Sequence, residues 1–475
     1  MDSVTTRTPA ASKGAAVTYV ALALLCLVQM MLFLDDTIVN VALPTIQNAL
    51  HLSEGGLTWI VNAYLLAFGG FLLFGGRCAD IFGPKPVFLT GVVVFGISSL
   101  TTGLAQNSIM IIASRAGQGI GGALASPAAL AMVAGLFADP KARSRALGIW
   151  SGLGGFAATM GVVLSGVLTQ YTSWRWCFLI NVPVAVVAFV LVPRMVPART
   201  SESAERRVDG MGAALITGAS AALVWGFIDT GRVGITTTLV RVAVGLILLV
   251  AFVIVESRHS APLIPLTFFR NRDRAVANIA NIAFCSTNLS MLFFLTLYLQ
   301  QVIHLNPVRT GLAWLPFCAT VILGFGAAAG FVPKLGVRVM LVLALGTGSV
   351  GMFLLSRLSD TGGYAAMVPG MLVVGLGMGL GFVSMTIAAI GETHEDITGL
   401  ASGLVTSTQQ LGGAIGLGVL GAVAIHRSTH LMSTGVHSEA ALSQGFHLAF
   451  LIATVVTAVG AVFVGFGITK NAGIS

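Results

Sequence analysis

Three ionisable side chains sit where charge is expensive. Asp35, Asp36 and Arg115 each fall inside a long apolar run, and an ionisable group at membrane depth costs several kcal/mol and tends to serve ion or proton traffic. At a rise of 1.5 Å per residue, Asp35 lies about 13 Å below the end of its run near Pro44. Arg115 lies about 10 Å into its own run from the same side. A carboxylate and a guanidinium at one level on neighbouring helices can pair, and a proton arriving at the carboxylate would break the pair. The alternative is a permanent ion pair that ties two helices together. The second carboxylate weighs against that alternative, because adjacent helical residues point about 100° apart and one arginine hardly serves both.

The elements that must carry these groups follow from composition. Of 475 residues, 56% are hydrophobic and only 9% are charged, against roughly 25% in a soluble domain. The mean hydropathy is +0.93. This balance excludes a soluble enzyme, a disordered chain and a secreted disulfide scaffold. It predicts an all-α polytopic membrane protein. Five scattered cysteines (Cys26, Cys78, Cys177, Cys285 and Cys318) have no metal or disulfide spacing and read as small core residues. Met1 to Ala16 reads as a short polar tail, and the apolar run after it is too long for a cleavable leader.

Apolar runs separated by charged or Pro/Gly-rich breaks predict fourteen crossings: 17–44, 57–76, 86–105, 109–136, 146–169, 177–197, 211–229, 239–256, 276–302, 310–332, 339–357, 365–390, 399–425 and 446–468. With both termini inside, 18 Lys and Arg fall on the inner side and 6 on the outer. That bias obeys the positive-inside rule and predicts a cell-membrane protein with cytoplasmic termini. The net charge of +8 then sits against the anionic leaflet, with no basic stripe for nucleic acid.

The two halves of the chain echo each other. Pro84-Lys85 falls between crossings 2 and 3, and Pro333-Lys334 between crossings 10 and 11. Crossings 5 and 13 are both dense in glycine. The pattern predicts two six-helix bundles, 17–197 and 275–468. Between them, 198–274 carries an inserted pair of helices with its flanking loops, and the tails are 1–16 and 469–475. Repeated halves around a central site are the usual build of a secondary transporter.

The stretch Leu34-Asp35-Asp36-Thr37-Ile38-Val39-Asn40-Val41-Ala42-Leu43-Pro44 resembles the first-helix signature of the fourteen-helix drug/proton antiporters, the EmrB/QacA branch of the major facilitator superfamily. Its aspartate falls on Asp35, and Asp36 occupies a variable position. Trp59 and Tyr64 fit the second helix. The segment from Gly76 through Asp80 and Gly83 to Lys85 is similar to the superfamily's loop 2–3 motif. Arg115-Ala116-Gly117-Gln118-Gly119-Ile120-Gly121 is similar to its fourth-helix motif, whose arginine is linked to proton transfer. Trp174 through Pro183, and Tyr298-Leu299-Gln300 through Gly311 and Pro316, continue the match over essentially the whole chain.

The resemblance implies a major facilitator fold and export of small amphipathic drugs or antibiotics by alternating access, conferring resistance. The proton gradient would drive it, with no cofactor, no metal and no obligate protein partner. Asp35 would be the main proton carrier, Asp36 a partial substitute, and Arg115 the group that sets their affinity. Gating and helix packing would fall to Gly76, Asp80, Gly83, Lys85, Gly119, Gly161 and Gly166. Asn40, Trp59, Tyr64, Gln118, Tyr298 and Gln300 would line the substrate cavity. Uptake of a nutrient or metabolite on the same fold is the alternative. A receptor or scaffold would usually append a soluble domain.

Three departures from the family pattern stand out. Loop 2–3 has Ile81 and Pro84 where the family usually has basic residues. Crossing 5 reads Gly161-Val162 in place of a Gly-Pro pair. Crossings 10 and 13 hold no acid to match a multivalent cation. Gly416 to Gly421 is a formal GxGxxG but has no strand before it, so it reads as a packing surface. His426, His430 and His437 read as a solvated outer loop, and Glu392, Glu395 and Asp396 as a solvated inner one.

Overall fold

The computed structural model describes residues 9–137, 139–196, 210–228, 234–259, 262–263, 266–359, 362–390 and 395–469. Residues 1–8 and 470–475 of the expected tails, 197–209 at the start of the inserted block, and Glu392 lie outside them. The described chain is helical throughout: α1 (Pro9–Leu50), α2 (Glu54–Phe82), α3 (Pro84–Gly103), α4 (Ser108–Leu136), α5 (Pro140–Tyr171), α6 (Trp176–Leu179), α7 (Asn181–Met195), α8 (Gly210–Ile228) and α9 (Gly234–Arg258). The second part holds α10 (Arg272–Leu297), a π-turn (Tyr298–Val302), α11 (Pro307–Ala313), α12 (Leu315–Leu355), α13 (Gly363–Ile390), α14 (Glu395–Ser433) and α15 (Ser438–Gly467).

Helix is the form an apolar chain must take in lipid, where every backbone polar group needs an internal partner. Helix starts are marked by side chains that satisfy the first free N–H groups. Ser53, Asn107, Asp139 and Asn306 accept from the backbone N–H groups of Gly56, Met110, Ala142 and Arg309. Pro84, Pro140 and Pro307 occupy first helical positions, where their missing N–H is no loss. Pro44 does not end α1 as expected: the helix runs on to Leu50. A proline removes one rung and kinks a helix without obliging it to stop.

Twelve helices among the described residues are long and apolar enough to cross a membrane, against fourteen expected. The difference arises at two places. Expected crossings 10 and 11 fall in one 49-residue apolar stretch, Pro307–Leu355. Expected crossing 5 falls in α5, whose start carries Arg143 and Arg145 and whose shorter apolar part is Met160–Tyr171.

The α12 helix is nevertheless not one rod. Gly336 inside it has φ +79° and ψ 157°. Gly83, between α2 and α3, has φ +87° and ψ 146°. Both lie in the region that glycine tolerates and other residues resist, and a Pro-Lys pair neighbours each. One sharp turn is thus built twice, at the places where the sequence repeats itself.

Small residues set the helix spacing, as is usual where lipid cannot drive association. A Cβ on Gly121 would lie 2.5 Å from the backbone N of Phe95, and one on Gly91 2.6 Å from that of Ala125. These two glycines let α3 and α4 touch backbone to backbone. The inserted pair α8 and α9 packs through Gly226 on Val242 and Gly245 on Leu223. The α9 helix exposes Leu239, Val240, Ile247 and Val250, while α8 turns inward. Thr217 of α8 fills the notch left by Gly70 in α2, and Val224 of α8 meets Gly418 in α14. The same helix therefore touches both six-helix groups.

Candidate functional site

Asp35 and Arg115 are both fully buried, and the Arg115 Nη1 donates to Asp35 Oδ2 at 2.5 Å. The depth arithmetic from the sequence anticipated this pair. It did not anticipate the cage around it. Gln118 Nε2 and Asn181 Nδ2 each donate to Asp35 Oδ1 at 2.9 Å. Both amides also donate to Ser99 Oγ at 3.1 Å, and Ser99 passes its own hydrogen to the Phe178 carbonyl at 2.8 Å. Thr102 and Arg115 both donate to Gln118 Oε1 at 3.1 Å.

Four helices thus converge on one carboxylate. Helix α1 supplies Asp35, α4 supplies Arg115 and Gln118, α3 supplies Ser99 and Thr102, and α7 supplies Asn181. The second helix closes the group. Arg115 Nε donates to the Ile60 carbonyl at 3.2 Å, and its guanidinium carbon lies 4.4 Å from the Tyr64 ring centre, within cation–π range. The Tyr64 hydroxyl reaches the Leu32 carbonyl at 3.4 Å. Every hydrogen bond to Asp35 comes from a donor, so protonating the carboxylate removes the negative charge around which these donors, Arg115 above all, are arranged. Arg115 Nη2 has no hydrogen-bond partner among the described residues.

Asp36 is placed differently. It is half-buried, and its carboxylate makes no hydrogen bond or ion pair among the described residues. Only its backbone carbonyl is engaged, by Asn40 Nδ2 at 3.3 Å. Of the two acids, only Asp35 hydrogen-bonds to Arg115, while the guanidinium acts on Asp36 through space.

The remaining expected residues fall into three places. Tyr64 and Gln118, expected at a substrate cavity, stand in the Asp35–Arg115 network. Gln300, on the π-turn, donates to the Val41 carbonyl at 2.8 Å, and its neighbour Gln301 donates to Gln47 Oε1 at 3.1 Å. Both bonds join the second six-helix group to the end of α1. A π-turn adds a residue to the helical turn, which lets two consecutive glutamines reach one partner helix. Tyr298 is buried, with its hydroxyl on the Ser359 carbonyl at 2.6 Å, and Trp59 is a partly buried core residue.

The packing residues are placed by their notches. A Cβ on Gly119 would lie 2.5 Å from the Tyr64 carbonyl, and one on Gly166 2.5 Å from that of Pro307. Gly161 faces Thr37, and Gly311 faces the Val162 carbonyl. Gly76 has room, with Pro127 Cβ 3.8 Å away. Lys85 donates to the Pro193 and Val196 carbonyls at 2.7 Å each, a cation closing the C-terminus of α7. Asp80 is exposed at the end of α2. His426 and His430, expected in a loop, lie in the last turns of α14, with His437 just before α15. Gly416 meets Ser286 of α10, so the glycine run there is a helix contact.

Asn181 enters the sequence reading only as part of the Trp174–Pro183 match, and Ser99 and Thr102 not at all. Their one signal is a polar side chain inside an apolar run, where burial without a partner is costly.

The sequence profile of the Major Facilitator Superfamily matches residues 25–417. The chain belongs to that superfamily. Among curated relatives, the puromycin resistance protein pur8 of Streptomyces alboniger is 36% identical, over 88% of this chain and 84% of its own. The lincomycin resistance protein of Streptomyces lincolnensis is 37% identical over 87% and 85%. The cephamycin export protein CmcT of Amycolatopsis lactamdurans is 35% identical over 84% of each. Among solved structures, an auto-inhibited POT family peptide transporter superposes with a TM-score of 0.68 at 12% identity, covering 93% of this chain and 96% of that one. A D-xylose–proton symporter gives 0.66 at 15%, covering 95% and 98%. At those identities the likeness shows the fold alone. The protein is a multi-pass Major Facilitator transporter acting on small molecules, and its relatives named here are resistance and export proteins.

Proposed function

We propose that this protein is a proton-coupled antiporter that exports small amphipathic compounds by alternating access and confers resistance to them. The observation that carries the proposal is the fully buried Asp35–Arg115 pair in its donor cage. A carboxylate at membrane depth on α1, held directly by donors on α4 and α7 with α3 behind them, links its own charge state to the way those helices pack. Proton binding at Asp35 loosens the hold of α4 and α7 on α1, and proton release restores it. The names of the relatives support export as the direction.

In this reading the chain crosses the membrane fourteen times. The non-helical Gly336 divides the long Pro307–Leu355 stretch into two crossings, and α5, 32 residues long, supplies another. The end of the molecule holding Gly83 and Gly336 faces the cytoplasm, as do both termini. The contacts of Gln300, Gln301, Gly166 and Gly311 then close the outer face, so the form described here is closed to the outside.

Topology is tested by single cysteines. All five native cysteines are buried, so background labelling is low. A membrane-impermeant maleimide applied to whole cells should label Ser433→Cys and miss Ser257→Cys, both at exposed positions. The reverse pattern would sink the orientation. The reaction is tested in acidified inverted vesicles, where compounds that are substrates should evoke a pH-dependent fluorescence recovery that an uncoupler abolishes.

Substrate charge is a separate expectation. The described parts of α10 to α14 hold no Asp or Glu at mid-membrane depth, so a second positive charge on a substrate would go unpaired there. Cells making the protein should resist neutral or monocationic drugs at least about tenfold better than dicationic biocides, the ratio that one unpaired charge costing about 1.4 kcal/mol produces. Equal resistance to both would contradict this.

A further inference from the structure

A proton placed on Asp35 turns it into a donor, and a buried O–H without an acceptor is costly. The oxygens around the carboxylate differ in what they can still accept. Gln118 Oε1 already accepts from Thr102 Oγ1 and Arg115 Nη1, which fills both lone pairs of an amide oxygen. Ser99 Oγ accepts from Gln118 and Asn181 and donates to the Phe178 carbonyl, which fills a hydroxyl. Asn181 Oδ1 accepts no hydrogen bond among the described residues.

The two amides on Asp35 Oδ1 are therefore not equivalent. Turning Gln118 over would set its NH2 against Arg115 Nη1, donor against donor. Asn181, the buried first residue of α7, meets no such obstacle. Half a turn about its last side-chain bond exchanges Oδ1 and Nδ2 with little change of shape, and that torsion is broad and roughly two-fold. In one orientation the amide donates to a carboxylate, and in the other it accepts from a carboxylic acid.

The charged or titratable groups that face Asp35 are Arg115 from α4, Asp36 from α1, Tyr64 from α2 and Cys177 from α6. Helices α3 and α7 bring the hydroxyls and the amide just named. Asp36 points about 100° away, the Tyr64 hydroxyl is turned to the Leu32 carbonyl, and Cys177 Sγ to Ser165 and Thr169. The acid's hydrogen is left to Asn181.

We propose that Asn181 is the positioning residue that reads the charge of Asp35, by turning its amide over when Asp35 takes up a proton. The proposal rests on the proton-coupled reading of Asp35. On protonation Arg115 loses the charge it faces, whereas α7 exchanges a charge-assisted bond for a neutral one, roughly half as strong. Protonation thus frees α1 from α4 more than from α7, and α1 and α7 move as a unit.

The test uses the purified full-length protein in lipid vesicles and infrared difference spectra between alkaline and acidic buffer. The carbonyl band of protonated Asp35 is the one missing from Asp35→Asn. Asn181→Leu matches asparagine in size without its polar groups. In it that band should move to the higher frequency of a carboxyl with no acceptor. Drug-evoked proton flux should fall at least about tenfold, as loss of a hydrogen bond to a charged group requires. Asn181→Ser is smaller but can donate and accept, so it should keep more flux than Asn181→Leu. A residue that merely fills space would give the opposite order. Wild type labelled with a heavy isotope at the asparagine side-chain carbonyl adds a measurement that needs no leucine variant. Acidification should lower the frequency of one labelled amide band, the one missing from Asn181→Ser. An Asp35 band that stays in place in Asn181→Leu, labelled amide bands that do not move, or more flux in Asn181→Leu than in Asn181→Ser would each overturn the inference and leave the proton reading standing. No Asp35 band at any pH at which the protein stays folded would overturn the proton reading and the inference with it.

Discussion

Asp35→Asn is expected to reduce uncoupler-sensitive efflux to the background of cells lacking the protein. The substitution removes the charge that Arg115 faces at 2.5 Å. It also places an NH2 group among donors, because Gln118, Asn181 and Arg115 all donate toward that position. A buried arginine left without its partner costs about 3–5 kcal/mol, so the single variant should also be less thermostable. The double variant Asp35→Asn/Arg115→Gln separates the two effects. With both charges gone it should regain most of the stability, since replacing a buried pair is often neutral, while proton-driven efflux stays at background. If the pair merely ties helices together, the double variant will transport. Arg115→Lys should restore coupling only in part, because an ammonium lacks the guanidinium fork that reaches Asp35, Gln118 and Ile60 together. Drug-evoked fluorescence recovery in acidified inverted vesicles measures each case.

Gly166→Leu is expected to abolish transport by a different route. A Cβ at Gly166 would lie 2.5 Å from the Pro307 carbonyl and 3.1 Å from Val308 Cα, so a leucine cannot fit without parting α5 from α11. Overpacking of this kind costs about 1–3 kcal/mol. It falls between the two six-helix groups and not within either, so the variant should insert and fold. Its effect should be to hold the outer face open. A flexible bis-maleimide cross-linker should bridge Gln47→Cys and Gln301→Cys, residues whose side-chain ends lie 3.1 Å apart, efficiently in the otherwise unchanged protein and poorly with Gly166→Leu. Efficient cross-linking in the leucine variant, or normal efflux by it, would show that this contact does not gate transport.

The sequence carried the elements further than their arrangement. Apolar runs were legible because a bilayer demands helices of a set length, and the 100° between Asp35 and Asp36 already kept them from one hydrogen-bond partner. The level of Asp35 and Arg115 followed from counting residues. The cage of Gln118, Asn181, Ser99 and Thr102 was not legible, because it exists only where four helices meet and each member alone is one polar residue in a long run. Tyr64 and Gln118 were read as cavity residues, and their contacts with Arg115 and Asp35 were not legible for the same reason. Pro44 looked like a stop, and α1 runs through it. The turn at Gly336 left a weak mark, the Pro-Lys pair it shares with Gly83, and helical bonding runs around it closely enough to hide a boundary in Pro307–Leu355.

The seat of α8 makes the two flanks of the molecule unequal. Two seams separate the six-helix groups, one where α2 meets α14 and one where α5 meets α11. Along the first, Thr217 and Val224 of α8 are keyed into Gly70 on one side and Gly418 on the other, with α9 behind them. This flank is shuttered: a gap opening there exposes the side of α8 to the interior, and lipid tails stay out. Along the α5 flank, the described residues meet through small side chains at Gly166 and Gly311. An oily compound dissolved in the bilayer, rather than in water, would therefore load from one side of the protein.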